Sequence, residues 1–361
     1  MNKKFFLFIL LTCIAVSLFS YAIEQFAITF IDPSRNNRQI LTQIFIPVDN
    51  DSRTEDESFP FIVFGHGYTT SYSNYNSVWE ALVPLGWIMA FPTTEGGVFA
   101  NTEQFALDLA FLSFAIPAAG ENPSSLLYDL VKPISVVIAH SMGGGCSVLA
   151  ASYANSFDSL VTLAAWRLFD SSPIDAAFNV YLPSLTFAGA DDDFIPPENN
   201  QLLIYQNLNS IYKVYLLMDG VNHSQIYNND DVFYLISQWL DFIVTEETDY
   251  LALFENTLES YETETILTYM IQNRYPPQNL TIAVDSGWIV LTWDKALGAD
   301  YYIVEATNDL LNPFFDISTG QGSFSETEDS VSWTFLPISE QNILFFRVRV
   351  ERNTDQRNST F

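Results

Sequence analysis

The run Ala139-His140-Ser141-Met142-Gly143-Gly144-Gly145 follows an apolar, β-branched stretch and opens a helical one. A serine there sits on a sharp turn that lifts its hydroxyl clear of the strand, and small neighbours let the backbone pass closely; this is the setting of a nucleophilic serine. Ala139 stands where the pattern G-x-S-x-G has glycine, and it is small enough to keep the turn. A glycine-rich helix start can also hold an anion, but no lysine follows these glycines as a phosphate loop requires.

A serine needs a base, and the chain has three histidines, His66, His140 and His223. His140 adjoins Ser141, where strand alternation directs its side chain away from that of the serine. His66 lies in Phe64-Gly65-His66-Gly67-Tyr68, where the flexible backbone is the useful feature. That leaves His223, in the loop Asp219-Gly220-Val221-Asn222-His223-Ser224 after a strand-like run. The acid that orients it should come from the preceding strand end, which carries Asp191, Asp192 and Asp193. The spacing G-x-x-D-x-x-x-P selects Asp192, with Asp193 second because Pro197 gives it the same offset. Backbone N–H groups of Met142 and Tyr68 would converge on a developing oxyanion. No metal or organic cofactor is required.

These residues need a sheet to bring them together. Strands are expected at Phe26–Ile31, Ile40–Ile46, Pro60–Phe64, Gly86–Phe91, Ile134–Ala139, Leu160–Ala164, Ser184–Ala188 and Tyr212–Met218, with helical segments Thr102–Ile116, Gly144–Tyr153, Pro197–Leu208 and Asp231–Val244. Apolar strands alternating with helices predict an α/β domain with a mostly parallel sheet and a first antiparallel pair, over residues 23–246. An acidic helical connector is expected over 247–275, because Leu251, Leu253, Phe254, Leu258, Ile266, Leu267 and Met270 recur at roughly helical spacing. Beyond Pro276-Pro277 the texture is all-β, which suits a small sandwich over 276–361. The segment Leu291–Ala306, with the RVRV run near the end, resembles a fibronectin type III module. Such a module would be a spacer or an adhesion domain.

The chain of 361 residues has 43 acids against 14 bases, a net charge of −29, yet only 16% of residues are charged. The acidity is a shortage of bases, and it argues against nucleic acid or an anionic membrane as partner. Residues 1–22 read as a secretory signal peptide cut after Ala22: Lys3 and Lys4 precede an apolar run, Phe5–Phe19, shorter than the ~20 residues that span a bilayer. A secreted or extracellular monomer is expected. Of the two cysteines, Cys13 falls in this leader, so Cys146 is alone and stability must come from packing.

Gly65-His66-Gly67-Tyr68-Thr69, the elbow at Ser141, the aspartate loop and Asn222-His223-Ser224 together resemble the bacterial cutinase-like polyester hydrolases, including poly(ethylene terephthalate) hydrolases, of the dienelactone hydrolase branch of α/β-hydrolases. The chain order Ser, Asp, His is that of this fold. The resemblance implies a triad of Ser141, Asp192 and His223, an oxyanion hole of Tyr68 and Met142, and an acyl-binding cleft lined by Tyr68 and Trp166. It implies hydrolysis of hydrophobic or polymeric esters through an acyl-enzyme. The stretch Ala165–Pro183 is too short for a separate lid domain, so the site should be open. Alternatives are a lipase, an acetyl esterase or a platelet-activating-factor-acetylhydrolase-like esterase, and beyond these a non-catalytic adhesion protein.

Overall fold

The computed structural model describes residues 21–48, 58–153, 157–245, 248–261 and 265–273, and toward the C-terminus 280–285, 288–294, 301–307, 315–317, 322–327, 330–335 and 345–351. Residues 1–20 of the expected leader lie outside the described residues. The chain forms two compact units, one reaching Tyr269 and the other comprising Met270 onward together with Ile211–Lys213.

Apolar runs without alternation mark strands buried on both faces, and that is how the first unit is built. β3 (Phe59–Gly65), β6 (Ser159–Leu163) and β7 (Ser184–Gly189) are buried at every residue, as is the second half of β5 (Val131–His140). With β1 (Ala22–Asp32), β2 (Arg38–Val48), β4 (Ile88–Pro92), β8 (Tyr212–Met218) and β9 (Ile266–Asn273) they make a nine-stranded sheet in the order β1-β2-β4-β3-β5-β6-β7-β8-β9. β1–β2 and β2–β4 pair antiparallel, whereas β3–β4, β3–β5, β5–β6 and β6–β7 are parallel. The helices are α1 (Asn76–Leu82), α2 (Thr102–Gly120), α3 (Met142–Tyr153), α4 (Ser172–Ala177), α5 (Gln201–Asn207), α6 (Asp230–Thr245) and α7 (Thr248–Tyr261). Asn101 starts α2 by accepting the Gln104 N–H at 3.0 Å, the usual job of an N-cap amide. This is the α/β-hydrolase arrangement expected from the sequence.

The expected connector is helical only in part. Residues Leu251, Phe254 and Leu258 lie on α7 and are buried, but Ile266, Leu267 and Met270 lie on β9, the edge strand of the large sheet. Their spacing suits a helix, yet Ile266–Asn273 is rich in the β-branched and aromatic residues that a pleated edge accommodates.

In the second unit β10 (Thr281–Asp285), β11 (Trp288–Asp294), β15 (Ser330–Phe335) and β14 (Gly322–Glu326) form one antiparallel sheet, and β13 (Phe315–Asp316), β12 (Tyr301–Thr307) and β16 (Phe345–Glu351) form another. Alternate residues face one core: Leu291 and Trp293 on β11, Tyr302, Val304 and Ala306 on β12, Val331, Trp333 and Phe335 on β15, and Val348 on β16. Two antiparallel sheets over a shared apolar core make the small β-sandwich that the alternation predicts.

The centre of the large sheet explains Ala139. A Cβ added to Gly65 on β3 would lie 3.0 Å from the Ala139 Cβ on the adjacent β5. The methyl at position 139 is therefore accommodated by its absence at 65. Gly65→Ala should cost about 1–3 kcal/mol by overpacking, and adding Ala139→Gly should recover part of that loss. A denaturant double-mutant cycle measures the coupling.

Candidate active site

Ser141 follows β5 directly and has φ +55°, a left-handed conformation that β5 could not continue. Such a residue is strained by roughly 1–2 kcal/mol, so its neighbours must hold it. The Ser141 N–H donates to the Leu163 carbonyl at the end of β6 (3.0 Å), and the Ser141 carbonyl accepts the N–H of Trp166 (2.9 Å) and of Gly145 (3.2 Å). The helix that follows runs back very close to two strand ends. A Cβ on Gly143 would lie 2.3 Å from the Gly65 carbonyl oxygen, and one on Gly145 would lie 2.2 Å from that of Trp166. Those two positions admit only glycine.

Asp192 and His223 lie on loops after β7 and β8, and the backbone zips these loops together. The Ala190 N–H donates to the Met218 carbonyl (2.9 Å) and the Asp191 N–H to that of Val221 (3.0 Å). The Asn222 carboxamide accepts the N–H groups of Ser224 (3.1 Å) and Gln225 (3.0 Å), which shapes the turn bearing His223.

The three side chains meet in line. His223 Nδ1 is 2.7 Å from Asp192 Oδ2, and His223 Nε2 is 2.9 Å from Ser141 Oγ. A carboxylate only accepts, so Nδ1 carries the hydrogen and Nε2 is left to accept the serine O–H. The other oxygen of Asp192, Oδ1, accepts the N–H groups of Phe194 (3.0 Å) and Ile195 (2.8 Å). Asp192 is buried, whereas Asp191 and Asp193 are exposed. Of the two aspartates the spacing picked out, Asp192 is the one that meets His223.

Met142 is the first residue of α3, where backbone N–H groups have no partner within the helix. Gly67, one residue before Tyr68, packs against Ser141: a Cβ there would be 3.4 Å from the serine Cβ. The Tyr68 ring is half-exposed, and its hydroxyl donates to the Val98 carbonyl at 2.6 Å. The loop carrying Val98 is anchored by a buried carboxylate, Asp108, which holds Arg38 in a two-pronged pair (2.7 and 2.6 Å), Arg35 (2.7 Å) and the Thr94 hydroxyl (2.6 Å). Arg38 also reaches Glu95 at 2.9 Å, and these carboxylates push its pKa further up. Trp166 is partly buried, joined to Ser141 through its backbone and stacked edge-to-face on Phe169 at 4.6 Å.

His140 ends β5; its ring lies 4.7 Å from the His223 ring, and its Nε2 is 3.0 Å from the His223 carbonyl oxygen. Burial, reinforced by His223, pushes its pKa down to about 3. His66 is also buried, with Nδ1 2.9 Å from the Gly67 carbonyl and Nε2 2.9 Å from that of Thr94. Burial likewise raises the pKa of the Cys146 thiol, which stays an inert core residue. The sequence reading missed Tyr75, Val98, Phe169 and Phe194. Phe194, beside the His223 ring at 5.3 Å, had a signal as an aromatic two residues after the orienting acid.

An imidazole kept neutral in the fold but free to protonate when unfolded makes the unfolded chain bind more protons between the two pKa values. Stability is then full above the ordinary value of 6.5 and falls as pH drops toward about 3. Replacing His140 by Gln removes this titration. The stability lost between pH 7 and pH 5, read from urea midpoints, should be smaller in the variant by on the order of 1–2 kcal/mol.

Among the described residues no cluster of His, Cys, Asp and Glu could hold a metal ion, and no helix is long and apolar enough to cross a membrane. Residues 42–268 match the model of a family described as PETase, PET hydrolase-like. A comparison with curated proteins gives no match.

Proposed function

The chain belongs to the PET hydrolase-like family, and from that premise we propose that this ester hydrolase is a secreted serine carboxylesterase of hydrophobic and polymeric esters. The observation that carries the proposal is the line Ser141 Oγ, His223 Nε2, His223 Nδ1, Asp192 Oδ2, with contacts of 2.9 and 2.7 Å. His223 takes the serine proton as the hydroxyl attacks the ester carbonyl, and Asp192 keeps the imidazole in the required tautomer. Backbone N–H groups of Tyr68 and Met142 receive the oxyanion. His223 then protonates the departing alcohol, and water repeats the attack on the acyl-enzyme.

The surroundings support an apolar, extended substrate. Phe99, Phe169 and Phe194 are 96%, 90% and 75% exposed. Each is tied to the site: Phe99 follows Val98, which takes the Tyr68 hydroxyl, Phe169 packs on Trp166, and Phe194 packs on His223. Phenyl rings held in water on separate loops suit an uncharged, water-insoluble surface. Tyr68 and Trp166 would line the acyl cleft. The negative charge is indifferent to a neutral polyester and disfavours nucleic acid and anionic lipid. The β-sandwich would be a spacer or a fibronectin type III-like adhesion module.

Purified protein should hydrolyse p-nitrophenyl butyrate, and Ser141→Ala should abolish it. Asp192→Asn should lower kcat by about 10⁴-fold, while Asp193→Asn should leave it within a few-fold. Release of soluble monomers from a polyester film supports the polymer reading. Activity confined to acetylated xylan or to short soluble esters would instead place the chain among acetyl esterases.

A further inference from the structure

We propose that Tyr75 and His140 are positioning residues that join the oxyanion-hole loop to the loop of the catalytic histidine through one directed hydrogen-bond relay. The inference rests on the triad reading above and adds residues to it.

The direction of the relay follows from which atoms can donate. His140 Nε2 faces the His223 carbonyl oxygen at 3.0 Å, and a carbonyl only accepts, so Nε2 carries the hydrogen. In a neutral ring Nδ1 is then an acceptor, and Tyr75 Oη, 3.0 Å away, must donate to it. The same phenolic oxygen accepts the Gly67 N–H at 2.7 Å. The chain of donors therefore runs from Gly67 N–H to the Tyr75 hydroxyl, to His140, to the backbone of His223. The Thr70 hydroxyl lies 3.2 Å from Tyr75 Oη and donates its hydrogen to the nearer Gly67 carbonyl at 2.8 Å. The Gly67–Tyr68 peptide is planar, so fixing its carbonyl fixes the opposite direction of the Tyr68 N–H, the proposed oxyanion donor.

Three strand ends are thus set against each other beside the nucleophile. Gly67 follows β3, His140 ends β5 and His223 follows β8. Room for the relay is exact to a few tenths of an ångström: a Cβ on Gly67 would lie 3.0 Å from Tyr75 Oη and 3.2 Å from His140 Nδ1. Packing alone does not call for these polar atoms. The Tyr75 ring is fully buried against Phe64 and Tyr227 at 4.8 and 4.7 Å, and a phenylalanine would serve those contacts equally. A buried hydroxyl and imidazole cost desolvation that only their bonds offset. The relay aligns the oxyanion donor with the general base, so its loss should be felt in the transition state more than in substrate binding.

The test is Tyr75→Phe in the full chain, which removes one hydroxyl and keeps the ring. For p-nitrophenyl butyrate we expect kcat to fall about 10- to 100-fold with KM within about two-fold. Affinity for butylboronic acid, whose serine adduct is tetrahedral and anionic, should weaken in parallel, at a temperature where circular dichroism shows the variant folded. His140→Gln keeps an amide donor toward the His223 carbonyl and should retain more activity than His140→Ala. The double variant Tyr75→Phe/His140→Gln should lose little more than the worse single. Wild-type kcat and boronate affinity in Tyr75→Phe would overturn the inference, as would a loss no larger than the unfolded fraction. Ser141→Ala separates the two levels: if it stays active the triad reading itself fails, whereas an inactive Ser141→Ala beside a fully active Tyr75→Phe removes only the relay.

Discussion

The site depends on one backbone angle. Ser141 is held at φ +55°, which turns the chain from β5 into α3 within a single residue and points the hydroxyl at His223. The strain is offset by three backbone bonds, to Leu163, Trp166 and Gly145, and these tie the elbow to the end of β6. They also explain the glycines. α3 must start where Gly65 and Trp166 already place carbonyl oxygens, and only residues without a Cβ fit there. The same crowding accounts for Ala139, whose methyl is tolerated because Gly65 across the sheet has none. A sharp turn, a tight helix start and a matched pair on neighbouring strands are one packing solution.

Around that turn, the buried carboxylates are held by several donors each. Asp192 accepts one bond from His223 and two from backbone N–H groups. Asp108 is fully buried but holds two arginines and a threonine hydroxyl, so two of the chain's 14 basic residues are spent inside the fold, fixing the loop that meets Tyr68. Exposed phenylalanines flank these residues: Phe169 packs on Trp166, Phe194 packs on His223, and Phe99 follows Val98, which takes the Tyr68 hydroxyl.

Much of this could be read in the residues themselves. Ser141, Asp192 and His223 each follow an apolar run that can only be a buried strand, and parallel strands deliver their C-terminal ends to one edge. Strand positions came within a few residues for the same reason. Spacing put Asp192 first and Asp193 second, since Pro197 gives Asp193 the same offset; in the structure Asp192 is buried against His223 and Asp193 is exposed. Ile266, Leu267 and Met270 read as helical because spacing was weighed above β-propensity, and the sheet edge decided otherwise. Tyr75 had no signal at all: its partner Gly67 is eight residues away, and nothing in the intervening sequence shows that the hydroxyl returns to it.

The most direct measurement of the central claim is covalent. Diisopropyl fluorophosphate reacts with a serine only where a neighbouring base activates it. Added to the folded protein, it should transfer one diisopropylphosphoryl group per chain, and peptide mass spectrometry should place it on Ser141. No labelling, or labelling of another serine with Ser141 unmodified, would contradict the account.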